Sequence, residues 1–396
     1  MGGAQMNVLQ RGVLTLVRSA LTEERLSIPV EFDLELAAKT AHIHQIDALL
    51  YAGAVCCGLD KREPQLKQLF QLYCQNLLIS SRQVQAVEKV CAALDEAELD
   101  YMPLKGCRIK KLYPKAELRT MGDADILIRE EQYGEVRVVV ERLGYEESDV
   151  STYEFVWRSR ELKLELHKRL LSDQNKDFYR YFGDGWKRAT IKNGTQYSMM
   201  TEDEYIYLFM HFAKHYRNGG IGIRHVTDLW VYQRAFPNMD EAYIAAELDK
   251  LHLLEFRENI CRLLSVWFEG RPSDEKTDFI TDFVFSSGSW GTDESRIMSD
   301  GVKRGKEAGS ITKGRRNKML GIVFLPLENM QQNFPILKKM PILLPACWVV
   351  RGVRALLFRR ERIAEQRAII QVGTAEKIET YQQALNYVGL DFHFEE

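Results

Sequence analysis

The chain has 396 residues, 45% hydrophobic and 28% charged, with a formal net charge of −2. That length suits two or three domains with real cores, and the balance excludes wholesale disorder. The near-neutral charge excludes polyanion binding through overall charge, leaving nucleic-acid or membrane-surface contact to local patches.

Up to about Leu99, apolar residues recur at three- and four-residue spacing, so a helical region is expected over 1–97, broken at "LDKREP". The N-terminus lacks a signal peptide's apolar core. The period then changes. "LDYMPLKG" reads as a strand running into glycine, and "CRIKKLYP" as a helical segment stopped at Pro114. "GDADILI" is a strand, "REEQYGEVRVVVERLGY" an amphipathic helix, and "TYEFVWRS" and "ELKLELHKRL" an antiparallel pair. In the last run Leu162, Leu164 and Leu166 face one way, and Lys163, Glu165 and His167 the other. A small α/β domain with a mixed sheet is therefore expected over 98–192, and an α+β protein overall.

From Thr201 helical periodicity returns, with Thr201 and Glu204 at capping-box spacing. A C-terminal helical domain is expected over 193–396. Within it, "WGTDESRIMSDGVKRGKEAGSITKGRRNKMLG" predicts a mobile basic loop around 300–318, and Trp348, Arg351, Arg354, Arg359 and Arg360 a basic helix. The apolar run Met340–Val350, interrupted by Pro341 and Pro345, is shorter than the ~18 residues of a spanning helix, so no transmembrane segment is expected. Seven cysteines without Cys-x-x-Cys spacing read as reduced thiols of a cytoplasmic protein.

"RTMGDADILI" places Asp123 and Asp125 one residue apart, on the same face of a strand. Two carboxylates so close form a platform for a divalent ion; without the ion, one of the pair is expected to hold a proton. Glu165, on the polar face of a later strand, is the natural third ligand, and His167 shares that face. Three acids fit a two-metal site for phosphoryl chemistry. Upstream, Gly106 at a strand-to-helix turn allows close approach of a phosphate, with Lys105, Arg108 and Arg119 as nearby cations.

These segments, together with "HFAKHYRNGGIGIRHVTDL", resemble the DNA polymerase beta-like nucleotidyltransferase superfamily, and within it an uncharacterised bacterial nucleotidyltransferase family. The resemblance implies an Mg2+-dependent enzyme, with Mn2+ as an alternative ion. It would transfer a nucleoside monophosphate from a nucleoside triphosphate to a hydroxyl-type acceptor and release pyrophosphate. It implies Asp123, Asp125 and Glu165 as metal ligands, Glu165 as base, and Gly106 under the phosphates. Lys105, Cys107, Arg119, His167, Lys214 and Arg224 are implied around the nucleotide. Cys107 stands where the superfamily has serine or glycine, so a serine contact to phosphate is absent.

Other readings stay open. The same fold could serve a catalytically weak nucleotide-binding or partner-binding protein. His211 and His215, four apart with His225 and Asp228 following, could pack, line the cleft or bind zinc, but no HExxH motif is present. "NGGIGI" follows a helix and reads as a cap and connector. The basic segment 303–318 is a solvated element, or a grip for an anionic acceptor, RNA or a membrane surface.

Overall fold

The computed structural model describes residues 6–173, 175–325, 327–358 and 373–394. It divides into two units, one of Met1–His215, Ile221–Trp290 and Val388–Glu396, the other of Tyr216–Gly220 and Gly291–Tyr387.

The first unit is built on seven strands: β1 Tyr101–Pro103, β2 Ala124–Ile128, β3 Glu146–Val150, β4 Glu154–Arg158, β5 Lys163–His167, β6 Ala189–Asn193 and β7 Gln196–Met199. They form one mixed sheet in the order β3-β4-β5-β2-β1-β7-β6. β2 is antiparallel to β1 and parallel to β5, with Asp125 opposite Glu165 and Leu127 opposite His167. The β6–β7 hairpin carries the sheet past residue 192 to Met199.

Alternation along β2 and β5 gives the sheet two different faces. On one, Ile126, Ile128, Leu164 and Leu166 are fully buried. They pack with Val136 and Val140 of the helix Tyr133–Arg142 and with Ala86, Val90 and Leu94 of the helix Pro64–Glu96. The other face presents Asp125, Glu165 and His167 beneath the helices Thr201–Arg217 and Ile223–Ala235. The first of these buries Tyr205 through Met210 without a break, so that stretch is packed on all sides, while His211, Lys214 and His215 further along line the cavity. Glu204 does not close a capping box there. It pairs with Arg108 (Nη2 to Oε2, 2.8 Å) and accepts from the Tyr232 hydroxyl at 3.0 Å, because it points into the protein rather than back along the helix.

In the second unit the expected mobile loop around 300–318 is instead two helices, Asp293–Ala308 and Ile311–Val323. The side chains of Thr292 and Ser310 cap their N-termini by accepting from the amides of Ser295 and Lys313. Gly301 and Gly314 serve close approach, and Gly309 caps the first helix at φ 77°. A Cβ on Gly314 would lie 2.6 Å from the Arg304 carbonyl oxygen, and one on Gly301 would lie 2.5 Å from Ile378. The helix Leu344–Phe358 contains Trp348, Arg351 and Arg354, whereas Arg359 and Arg360 lie outside the described residues. Among the described residues no helix is long and apolar enough to cross a membrane.

This packing has a direct test. Gly314→Val should destabilise the protein by about 1–3 kcal/mol through overpacking, read as a lower denaturant midpoint. A loop would tolerate the change.

Candidate active site on the polar face of the sheet

The segment leading into the aspartates is held at Arg119, Thr120 and Met121. Lys110 donates to the Arg119 carbonyl, the Thr120 hydroxyl donates to the Gln45 carbonyl, and Gln83 Nε2 donates to the Met121 carbonyl at 2.8 Å. The Arg119 guanidinium grips Asp228 with two bonds, Nε to Oδ1 at 2.7 Å and Nη2 to Oδ2 at 2.9 Å. Tyr113 adds a third bond to the same carboxylate at 2.8 Å. Arg119 and Asp228 are 5% and 7% exposed, so this is a desolvated, bidentate pair whose geometry ties the loop to the helix Ile223–Ala235. Gly106 lies directly beneath it, since a Cβ there would come within 3.0 Å of Arg119 Nη1.

Beyond this clamp opens a cavity of about 250 Å³. One wall is acidic. Asp125 Oδ1 receives the Lys105 ammonium at 2.8 Å and His167 Nε2 at 2.9 Å. Glu165 is paired with Lys163, which also lies 3.8 Å from Asp123 Oδ2. Glu154, on β4 opposite His167, places Oε2 3.7 Å from His167 Nδ1. Asp125, Glu165 and His167 each offer a ligand atom within 4.8 Å of the others, a set that could hold a metal ion.

Of the two aspartates, Asp125 is shifted toward its ionised form. Burial pushes the Asp125 carboxyl up, but Lys105 and His167 more than offset this and hold it well below the ordinary range. The raised carboxyl is Glu165, through burial first and then through Asp123, Asp125 and Glu154, against the pull of Lys163. Lys105 keeps its charge and adopts φ 42°, a conformation unusual for a side chain with a Cβ.

The opposite wall is cationic. Lys214 and Arg224 line it with His211, His215, His225 and Trp290. Arg224 is 6% exposed and reaches the Thr120 carbonyl at 3.4 Å. Its guanidinium carbon lies 5.5 Å from the centre of the Trp290 ring. Burial, then Arg119, lowers its pKa. His211 and His215 share an Nε2–Nε2 contact of 3.2 Å. Burial and then Lys214 push both well below the ordinary histidine range, so they are neutral at pH 7. Among the described residues, the group of three or more donors gathered for a metal does not include them.

Most of the residues singled out in the sequence meet here: Lys105, Gly106, Arg119, Asp123, Asp125, Glu165, His167, Lys214 and Arg224 all line the cavity. Cys107 does not. It sits in the core on the other face, and its amide bonds the Leu104 carbonyl at 3.1 Å, because the short helix Gly106–Ile109 turns that side chain away. Arg108 turns the same way, to Glu204. Glu154 and Trp290 were not foreseen, and Lys163, expected on this face, was not singled out as the partner of Glu165. The pairing of β4 with β5 brings Glu154 in, whereas Trp290 is too distant in sequence for any local pattern to place it.

The half-buried His211 and His215 make stability depend on pH with a definite sign. Their folded pKa values lie below the unfolded value of about 6.5, so the unfolded chain binds more protons as pH falls. The stabilisation present at neutral pH should decline below about pH 6.5. In urea titrations, His211→Asn with His215→Asn should flatten the dependence between neutral and mildly acidic pH.

No curated protein matches the chain in sequence. Two solved structures of the antibiotic-resistance factor ANT(2'')-Ia are similar in part. The solution structure is 17% identical and covers 46% of this chain and 96% of that one, with a TM-score of 0.31. The crystal structure with adenylyl-2''-tobramycin is 17% identical and covers 42% and 97%, with a TM-score of 0.31. A family model described as "uncharacterised nucleotidyltransferase" matches residues 30–269, well over half of the sequence. The chain therefore belongs to this family of uncharacterised nucleotidyltransferases.

Proposed function

We propose that the chain transfers a nucleoside monophosphate from a nucleoside triphosphate to a hydroxyl-bearing acceptor, with Mg2+ or Mn2+ in the acidic wall. The observation that supports this most is the facing of two unlike walls across one cavity. Asp123, Asp125, Glu154 and Glu165 come from the sheet and the loop before it, and Lys214 and Arg224 from the helices Thr201–Arg217 and Ile223–Ala235.

The residues fit a divalent ion. Lys105 and Lys163 match two of the four carboxylates, leaving two negative charges, the equivalent of one such ion. Carboxylate oxygens suit Mg2+ and Mn2+. His167 Nδ1 is buried without a hydrogen-bond partner, and Glu154 stands beside it to take a proton there when Nε2 turns to a cation. Asp123, Asp125 and Glu165 would hold the ion, with His167 beside them. A second ion, as in a two-metal site, would draw its remaining ligands from the triphosphate. When bound, such ions neutralise phosphate charge and lower the pKa of a coordinated hydroxyl.

The chain's own groups do the rest. Arg224 and Lys214 attract the phosphate oxygens and orient the triphosphate toward the acid wall. Glu165, with its raised carboxyl, accepts the proton of the attacking hydroxyl. Arg119 acts through Asp228 as a positioning residue, fixing the helix that carries Arg224. Lys105 holds Asp125 in place with its charge intact.

One observation favours the second reading, a nucleotide binder with weak chemistry. The lysines already pair with Asp125 and Glu165 and compete with an added cation.

The test is incubation with Mg2+ or Mn2+ and each α-labelled nucleoside triphosphate, following pyrophosphate release or label transfer to a hydroxyl acceptor. Asp125→Asn should abolish turnover. Arg224→Gln should raise the KM for the triphosphate by about 10–100-fold, the loss of a charged hydrogen bond. Glu154→Gln should weaken metal affinity by about 10–100-fold. Nucleotide binding without any label transfer would favour the second reading.

A further inference from the structure

We propose that the second unit docks on the surface of an anionic lipid bilayer through the apolar, basic segment from Ile336 to Arg351. A soluble helix normally turns a polar face to water. The helix Leu344–Phe358 does the reverse over its first two turns. Leu344, Cys347 and Trp348 face inward, in a small core with Met330 and Leu337. Its outward stripe is Pro345, Ala346, Val349 and Val350, spaced by four residues and without a charge. Val349 is 66% exposed.

The short turns before the helix extend this surface. Ile342 is 83% exposed, and Ile336 and Met340 are about half exposed. Phe324, also half exposed, packs against the Trp348 ring at 5.1 Å between centroids, and the Trp348 indole N–H donates to the Leu325 carbonyl at 2.9 Å. The indole thus ties two parts of the exposed apolar surface together. An apolar patch of this kind marks a contact surface.

Charge identifies the occupant. Lys338 and Lys339 lie exposed among these apolar residues. From Asn329 to Arg360 the sequence has six Lys or Arg residues and no acidic residue. A second copy of this segment would bring its lysines and arginines together, since residues 329–360 carry no carboxylate. An anionic headgroup layer satisfies both halves of the pattern, accepting apolar side chains at its acyl boundary and lysine ammoniums at its phosphates. Among the described residues no helix is long and apolar enough to cross a membrane, and the contact proposed is peripheral.

The experiment is co-sedimentation of the full chain with vesicles of phosphatidylcholine alone and of phosphatidylcholine with phosphatidylserine. The expected result is binding to the phosphatidylserine vesicles only, weakening as salt rises. Each lost lysine should lower the partition coefficient about fivefold, so Lys338→Gln with Lys339→Gln should lower it about 25-fold. Ile342→Asp with Val349→Asp should abolish binding even at low salt. All four side chains are exposed, and circular dichroism checks that the variants fold. Equal binding to both vesicle types, binding that survives both pairs of changes, or no binding would overturn the proposal. So would a dimer in light scattering that Ile342→Asp dissociates, which would assign the surface to a second copy.

Discussion

The contact on which the rest of the site depends is the Asp125 carboxylate held between Lys105 and His167 on a central strand. Asp125 is 4% exposed, and a lone charge at that depth would be costly or would take up a proton. Two donors at 2.8 and 2.9 Å make the charge tenable. Lys105 can reach it only from the turn after β1, at a positive φ. His167 reaches it because β5 runs parallel to β2 in the register that sets Asp125 beside Glu165. Strand order, turn conformation and the charge state of the acid wall are therefore one constraint.

A second constraint, the Arg119–Asp228 clamp, sets what faces that wall. It joins the loop before β2 to the helix Ile223–Ala235, and so fixes where Arg224 and His225 stand. The opposition of acidic and cationic walls follows from these two buried ion pairs, one on each side of the cavity. Under the proposed function, cations on the helices and acids on the sheet would let a triphosphate and a metal ion be held together without either set neutralising the other.

Much of this was legible in the sequence because it rests on short-range periodicity. The alternation in "ELKLELHKRL" separates Leu164 and Leu166 from Glu165 and His167, and burial follows it from Lys163 to Leu166, whereas His167 is buried on the polar face by its partners there. What was not legible depends on pairing between distant segments. Glu154 gains its place from β4–β5 register, and Asp125 its ionised state from a lysine twenty residues away. Strand β3, "EESDV", is exposed throughout and has no apolar pattern to reveal it. The β6–β7 hairpin did carry a signal, Asn193-Gly194 at its turn, with Gly194 at φ 55°. The two helices of 293–323 were obscured because glycine, read alone, signals flexibility, whereas here its missing Cβ lets two backbones approach.

The central claim is that the acid wall holds a divalent ion through Asp125. The most direct measurement is Mn2+ binding at neutral pH, followed by electron paramagnetic resonance of the free ion, for the wild type and for Asp125→Asn. A tight Mn2+ site in the wild type that Asp125→Asn removes, with the circular dichroism unchanged, is the predicted result. Equal binding by the two proteins, or none by the wild type even with a nucleoside triphosphate present, would contradict it.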